Sequence, residues 1–197
     1  MEILTYLWRQ GRLRAERVIG PVAAIALTLV LGHCLTAASP EQAFDEYQVK
    51  AAFLYNFAKF VQWPSEAFPT PSEPIAFCVL GQDPFGRSLA DTVAGRAIEG
   101  RSIVVRHISD IKQAAGCHVL FISSAENKRS PPMLAEIKTG ILTVGDSDAS
   151  IAGTVINFKL NDGKVHFDIN VDAAEREKLQ ISSRLLSLAH IVEPVRK

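Results

Sequence analysis

Residues 74–95 read PIAFCVLGQDPFGRSLADTVAG and contain one complete strand–turn–helix unit. The run from Ile75 to Leu80 is continuously apolar, which is typical of a strand that is covered on both faces. A turn follows at residues 81–84, and residues 85–93 carry a helical pattern that ends at Gly95. A unit of this kind predicts an α/β fold built on a buried sheet.

The same alternation of strand and helix continues downstream. It indicates a mostly parallel sheet that is flanked by helices. Right-handed crossovers would place the third strand beside the first, in a flavodoxin-like order. The further predicted elements are strands at 102–108, 117–123 and 141–144, and helices at 110–115 and 132–138.

Residues 46–63 predict a helix that is rich in aromatic side chains. Five apolar residues recur in it at spacings of three and four, which places them on one face of the helix: Val49, Phe53, Phe57, Phe60 and Val61. Tyr55 lies off this stripe and is a candidate for an exposed contact with a partner.

The carboxyl-terminal part of the chain changes character. Residues 155–160 and 164–171 alternate between apolar and polar side chains, and the intervening Asn-Asp-Gly sequence supplies the positive φ angles of a tight turn. We therefore predict a β-hairpin, and we consider Val155 a candidate contact on its outer face. Asp172 resembles a helix N-cap with Glu175 as its capping-box partner.

A final helix is predicted from Arg184 onward. The apolar residues that would share one stripe of it are Leu185, Leu188, Ala189 and Val192.

Residues 1–38 have the order of a secretory signal. A region with four arginines ends at Arg17, an apolar run occupies residues 18–32, and small residues follow at 36–38. We expect cleavage after Ala38, which leaves residues 39–197 as a single exported domain. An uncleaved anchor and a lipoprotein signal at Cys34 are alternatives. However, the apolar run is shorter than the roughly 20 residues of a bilayer span, and His33 is bulky for a lipoprotein site.

The charge balance argues against nucleic acid as a partner. The chain has 21 basic and 21 acidic residues and a pI near 7.0. Residues 39–197 retain 17 basic and 19 acidic residues. Neither form has the basic surface that nucleic-acid binding needs.

Two cysteines, Cys78 and Cys117, remain after the predicted cleavage. An even number of cysteines in an oxidising compartment favours a disulfide. Two buried free thiols that pack as small apolar residues are the alternative reading.

The sequence shows no catalytic pattern. The histidines have no metal-ligand spacing, the glycines form no nucleotide-binding motif, and no nucleophile elbow surrounds Ser123. We therefore predict no catalytic site, no metal and no cofactor. An enzyme that uses Ser123 or Asp146 is the alternative hypothesis.

Four residues are candidates for binding a small ligand, because each is predicted to follow the carboxyl end of a strand, where α/β folds place ligands. They are Asp83, Phe85, Ser123 and Asp146. Ordinary turn chemistry is the alternative explanation for the two aspartates.

Several blocks of sequence together resemble the YfiR-like family of periplasmic regulatory proteins, over residues 45–192. The blocks, in chain order, are VKAAFLYNFAKFVQWP at 49–64, CVLGQDPFG at 78–86, CHVLFISS at 117–124, ILTVGD at 141–146, the hairpin strands beginning INF at 156–158, and ISSRLL at 181–186.

The resemblance implies a small exported α/β domain without known enzymatic activity. In the best-understood relative, such a domain represses an inner-membrane diguanylate cyclase by binding its periplasmic portion, and an outer-membrane lipoprotein sequesters the repressor. Cys78 and Cys117 match a disulfide of the family. A second disulfide of that relative has no cysteine counterparts in this chain.

The function we expect is therefore that of a non-catalytic periplasmic regulator. It would tune cyclic-di-GMP signalling by binding a membrane-bound diguanylate cyclase or another envelope signalling protein, with an outer-membrane lipoprotein as a further partner. We also consider a homodimer. The alternative is a periplasmic small-ligand sensor domain with a different partner.

Overall fold

The computed structural model describes residues 40–126, 134, 137, 139–147 and 153–192. A central sheet of eight strands flanked by helices organises this part of the chain. The strands of this sheet are β2 (Ile75–Leu80), β3 (Ala97–Ile98), β4 (Arg101–Ile108), β5 (Val119–Ile122), β6 (Leu142–Asp146), β7 (Ile156–Asn161), β8 (Lys164–Asn170) and β10 (His190–Val192). Their order across the sheet is β10-β8-β7-β6-β5-β2-β4-β3.

Most neighbouring strands in this sheet are parallel. β4, β2, β5, β6 and β7 form a parallel block, and β10 is parallel to β8. The two antiparallel pairs are β3 with β4 and β7 with β8. β5, the third of the major predicted strands, lies beside β2, the first. The predicted mixed α/β architecture with a mostly parallel sheet is confirmed.

The remaining described elements lie around or beside this sheet. They are helices α1 (Pro40–Lys59), α2 (Ser88–Val93), α3 (Val171–Arg176) and α4 (Ser183–Leu186), and the strands β1 (Val61–Gln62) and β9 (Gln180–Ile181), which pair with each other. Short 3-10 turns lie at 65–67, 111–114 and 124–126.

The central strand β2 is buried along its whole length because both faces of the sheet are covered. Its residues alternate between two apolar clusters. Ile75, Phe77 and Val79 belong to the larger cluster, together with residues of α1. Ala76 and Cys78 belong to the smaller cluster on the other face. A continuous apolar run is the sequence signature of this double coverage.

The predicted helix at 46–63 is present as α1, but both predicted bounds are wrong, because α1 begins at Pro40, six residues earlier, and ends at Lys59, four residues before the predicted end. Past Phe60, residues Val61 and Gln62 pair with β9, and this pairing draws the backbone out of the helix. The predicted inward face is also rotated, because Val49 is 39% exposed whereas its neighbour Lys50 is 3% exposed.

The hairpin is confirmed. β7 and β8 pair antiparallel and are closed by the two residues Asp162 and Gly163, whose φ angles are +50° and +70°. Positive φ at both central residues matches the twist of the flanking strands, and glycine accepts it without strain. The hairpin then joins the parallel block through β7, which pairs with β6.

Two local predictions after the hairpin are wrong. The N-cap of α3 is Asn170 rather than Asp172, and the Asn170 side chain accepts a hydrogen bond from the Ala173 amide. β8 ends at Asn170, so the helix starts at once. The predicted final helix is only the four-residue α4, capped by Ser182. The chain then forms β10, because the free edge of β8 offers backbone partners.

The remaining local predictions concern the start of α2, the cap at Asp110, and two segments near the limits of the described residues. α2 begins at Ser88 rather than at residue 85, because Phe85 is buried within the preceding turn. The predicted cap at Asp110 is present and forms a capping box with Gln113. The predicted signal at 1–38 lies wholly outside the described residues. The predicted helix at 132–138 lies mostly outside them.

Residues Ser39–Lys197 form one compact unit. In the described part of the chain, no helix combines the length and the apolar character that crossing a membrane requires.

A disulfide joins Cys78 of β2 to Cys117, which lies just before β5, and their Cα atoms are 5.9 Å apart. The sequence had left two buried free thiols as the alternative, and the structure decides for the bridge. The half-cystines belong to the smaller apolar cluster, so the bridge fastens β2 to the start of its neighbour.

Removal of this disulfide is expected to lower the free energy of unfolding. The Cys78→Ala/Cys117→Ala variant frees a loop of 39 residues, which costs about 4 kcal/mol in the chain-entropy model. Urea unfolding of the variant and the parent measures the difference. Reductant should shift the parent toward the variant and leave the variant unchanged; equal stability of the two proteins would contradict the prediction.

Candidate functional site

The four predicted ligand residues lie at the carboxyl ends of the strands, and each has a structural contact there. Asp83 accepts a hydrogen bond from the Phe85 amide through Oδ1, and its Oδ2 lies 2.9 Å from His107 Nε2. The Phe85 ring is buried. Ser123 is buried, and its amide donates to the Leu80 carbonyl. A ligand-binding role for these residues stays a prediction.

Asp146, the fourth of these residues, belongs to a buried cluster of charged groups. Lys50 of α1 contacts the Asp146 carboxylate at 2.5 Å and also contacts Glu46, one helical turn away. The side chains of Lys50 and Asp146 are both almost fully buried. One cation therefore lies between two carboxylates at the end of β6, and it fastens α1 to the sheet.

Tyr47 completes this cluster. Its hydroxyl donates a hydrogen bond of 2.8 Å to Asp146 Oδ2, and its ring lies edge-on to Phe85. The Lys50 ammonium is 4.5 Å from the centre of the Tyr47 ring. Burial, and then the neighbouring Asp146 carboxylate, raise the pKa of the Tyr47 hydroxyl far above its ordinary value of 10.0. Tyr47 therefore remains a hydrogen-bond donor at every physiological pH.

The burial of Lys50 was not predicted from the sequence. The periodicity contains the signal, because Lys50 shares a stripe with Leu54, Phe57 and Val61, all of which are buried. A lysine on a buried stripe needs a carboxylate partner. Only the fold shows that Asp146, 96 residues away, is that partner.

His118 organises the opposite, amino-terminal end of the sheet. Its Nδ1 accepts a hydrogen bond of 3.1 Å from the Ala76 amide, and its Nε2 lies 3.0 Å from the Ala67 carbonyl oxygen. The Phe68 ring is stacked on the imidazole with 4.4 Å between ring centres, and the Trp63 indole donates to the His118 carbonyl. Burial lowers the pKa of His118 below its ordinary value of 6.5.

Glu177, the C-cap residue of α3, contacts the same end of the sheet. Its carboxylate accepts a hydrogen bond of 3.1 Å from the Gly140 amide, just before β6. Burial raises the pKa of Glu177 above its ordinary value, although the Ile141 and Gly140 amides act in the opposite direction. The carboxyl group thus satisfies backbone donors that the strand itself leaves open.

A cavity of about 360 Å³ lies beside His118 and the disulfide. Its lining is mainly apolar, although the charged residues Glu66, Glu73 and Lys112 also contribute. The lining residues that bear on its position are Ala67, Ile111, Ala114, Cys117, His118 and Ile141. Sequence reasoning did not find this cavity, because its walls come from segments that are distant in the chain.

Three exposed apolar side chains lie on or next to the strands β7 and β10. We call Leu160, Leu188 and Ile191 the apolar edge; they are 43%, 68% and 40% exposed. Val104, which is 38% exposed, lies in β4 near the other end of the sheet. Exposed apolar residues on one part of a fold are candidates for a protein-binding surface.

A polar contact holds the three strands β7, β8 and β10 together. The buried Asp168 carboxylate of β8 lies 2.6 Å from Lys159 Nζ of β7 and 3.4 Å from His190 Nδ1 of β10. Leu160 and Ile191 of the apolar edge therefore lie on strands that are paired with β8.

The two contact residues suggested by the sequence are not on this surface. Val155 is fully buried, so its predicted exposure is wrong. The cause is its position just before β7, under neighbouring elements of the larger cluster. Tyr55 is half-buried, and its ring lies beneath the cations of Lys59 and Arg96. In the described ranges, no three His, Cys, Asp or Glu side chains are grouped as a metal site would require.

Replacement of Lys50 by methionine is expected to destabilise the fold by about 3–5 kcal/mol, because it leaves a buried carboxylate without its cation. Lys59→Met, at an exposed position in the last turn of the same helix, is the matched control and should change stability by less than about 1 kcal/mol, since it removes only an exposed cation over the Tyr55 ring. Chemical denaturation measures both variants. Equal losses for the two would show that the buried pair is not what holds α1.

Comparison with known proteins supplies the family. No curated protein matches the chain. A family model described as YfiR/HmsC-like matches residues 47–190, which extends from α1 to the first residue of β10. The family consists of periplasmic regulators that are generally non-catalytic. Because the match covers most of the chain and every major strand, the protein belongs to the YfiR/HmsC-like family.

Proposed function

We propose that the protein is a periplasmic repressor of a membrane-bound diguanylate cyclase, which it inhibits by binding the cyclase's periplasmic portion. The observation that carries the proposal is the family match over residues 47–190. Repression of this kind requires a surface that another protein recognises. It requires no reacting groups in the repressor.

The apolar edge is the surface that we assign to the partner. Leu160 of β7, Ile191 of β10 and Leu188, which lies between α4 and β10, are exposed, and burial of apolar surface is a main favourable contribution to protein association. The Asp168 contacts fix the strands beneath them. A rigid base of this kind reduces the entropy that the protein loses on binding.

Export is the second part of the proposal. Residues 1–38 would serve as a cleavable signal, and the domain at 39–197 would act in the periplasm. The Cys78–Cys117 disulfide supports this location, because such bridges persist in oxidising compartments. An outer-membrane lipoprotein that sequesters the repressor, and a homodimer, are further associations that the proposal accommodates.

A periplasmic small-ligand sensor is the second candidate function. The cavity beside His118 favours it, because about 360 Å³ lies within the range of small-molecule sites. A thermal-shift screen with metabolites separates the two functions. A ligand at 100 times its Kd would stabilise the protein by about 2.7 kcal/mol, whereas a pure interaction protein would show no such ligand.

Capture from an envelope fraction tests the repressor function. Tagged protein should recover a membrane protein that carries a cyclase output domain, and its overproduction should lower cellular cyclic-di-GMP. We expect Leu160→Glu/Leu188→Glu to reduce recovery at least tenfold, because the charges oppose burial of the apolar edge. Val104→Glu places a single such charge in β4, on a side chain about as exposed as Leu160, and should leave recovery unchanged.

The outcomes separate the partner from the surface. Failure to recover any protein with a cyclase output domain would reject the repressor function and favour the sensor. Recovery of the cyclase that is equally strong with the Leu160→Glu/Leu188→Glu variant would retain the partner and reject the apolar edge. Circular dichroism of each variant confirms that it is folded.

A further inference from the structure

Residues 63–74 form a segment that contacts the sheet at His118 and at Arg101 of β4. The segment comprises Trp63, a 3-10 turn and a proline-rich loop. The His118 ring contacts the Ala67 carbonyl and stacks on Phe68, and the His118 carbonyl accepts from the Trp63 indole. The segment also provides Ala67, Pro69 and Glu73 to the wall of the cavity. A change at His118 therefore acts directly on the wall of that cavity.

The hydrogen bonds fix the protonation state of the ring. Nδ1 faces the Ala76 amide, which is a donor, so Nδ1 carries no proton. Nε2 faces the Ala67 carbonyl, which is an acceptor, so Nε2 carries the single proton of the neutral imidazole. Each ring nitrogen thus has one partner, and the neutral ring is fully satisfied.

A second proton would break this arrangement. A proton on Nδ1 would point at the Ala76 N–H, and two donors cannot share a hydrogen bond. His118 is 3% exposed, so water does not replace the lost acceptor unless the segment moves. The imidazolium must leave its site, and Phe68 is stacked on the ring.

We propose that His118 is a pH-sensitive latch, whose protonation releases residues 63–74 from the amino-terminal end of the sheet and opens the cavity beside the disulfide. The latch is closed while the imidazole is neutral. It opens as the pH around the protein falls, and it closes again when the imidazolium loses its proton.

The charged groups around the ring act in both directions. Arg101 of β4 opposes an imidazolium, and it also holds the segment through the Thr70 and Glu73 carbonyls. The Glu73 carboxylate favours an imidazolium. Glu66 and Lys112 contribute opposite charges to the cavity wall. Burial outweighs these contributions and lowers the pKa of His118 below 6.5.

The direction of the pH effect follows from this lowered pKa. The closed state disfavours the proton, so the stabilisation from His118 is complete above pH 6.5. It is lost as the pH falls from 6.5 through the lower pKa of the closed state. The raised pKa of Glu177 has the opposite effect, because it increases the stability of the folded protein as the pH falls through the acidic range. The effect of His118 must therefore be isolated by substitution.

Hydrogen exchange of the whole protein tests the latch. We expect the opening constant of the Ala76 amide, corrected for the intrinsic exchange rate, to rise by up to tenfold per pH unit below 6.5, since one proton is taken up on opening. Peptides covering 63–76 should share this change. Peptides covering the hairpin at 156–170 should not change.

Two matched variants complete the test. His118→Asn removes the titrating group and should abolish the pH dependence at residues 63–76. His107→Asn removes an exposed histidine whose partner, Asp83, lies at the other end of the sheet, and it should preserve the dependence.

Two results would overturn the latch. One is protection at 63–76 that follows the hairpin at every pH, and the other is a pH dependence that survives in His118→Asn. If His118→Asn does not fold, the comparison of segment and hairpin in the parent protein still decides the question.

Discussion

Burial of β2 on both faces is the constraint on which the rest of this structure depends. A strand without a solvent face must be apolar at every position, and all six residues of β2 are buried. Its backbone donors and acceptors must then be satisfied by neighbours on both edges, which β4 and β5 supply in parallel. Parallel neighbours require long crossovers, and these crossovers bring the helices and loops that cover the two faces.

Two buried polar arrangements lie at opposite ends of this sheet. At the carboxyl end, Lys50 and Tyr47 of α1 meet Asp146, so that a helix is fixed to a strand by buried charge. At the amino end, His118 and Glu177 satisfy backbone groups of the segments that enter β2 and β6. The first arrangement has its charges paired, whereas the second depends on the protonation state of one ring.

Different parts of this fold stabilise it and expose apolar side chains to solvent, and this separation suits a binding protein. The disulfide and the Lys50 cluster stabilise the parallel block. The hairpin and β10 extend that block and present Leu160 and Ile191 to solvent. The YfiR/HmsC-like match over residues 47–190 covers the parallel block and the hairpin and ends at the first residue of β10.

The sequence by itself determined the elements whose signals are local. The apolar run at 75–80, the Asn-Asp-Gly turn and the cap at Asp110 each depend on residues within a few positions of one another, and each was predicted correctly. The tertiary structure alone decided where α1 ends, that residues 190–192 form a strand, and that Lys50 and His118 are buried with their partners. These features depend on pairing with β9, β8, Asp146 and Ala76, which are distant in sequence, and backbone pairing and buried charge outweigh local periodicity once the chain has folded.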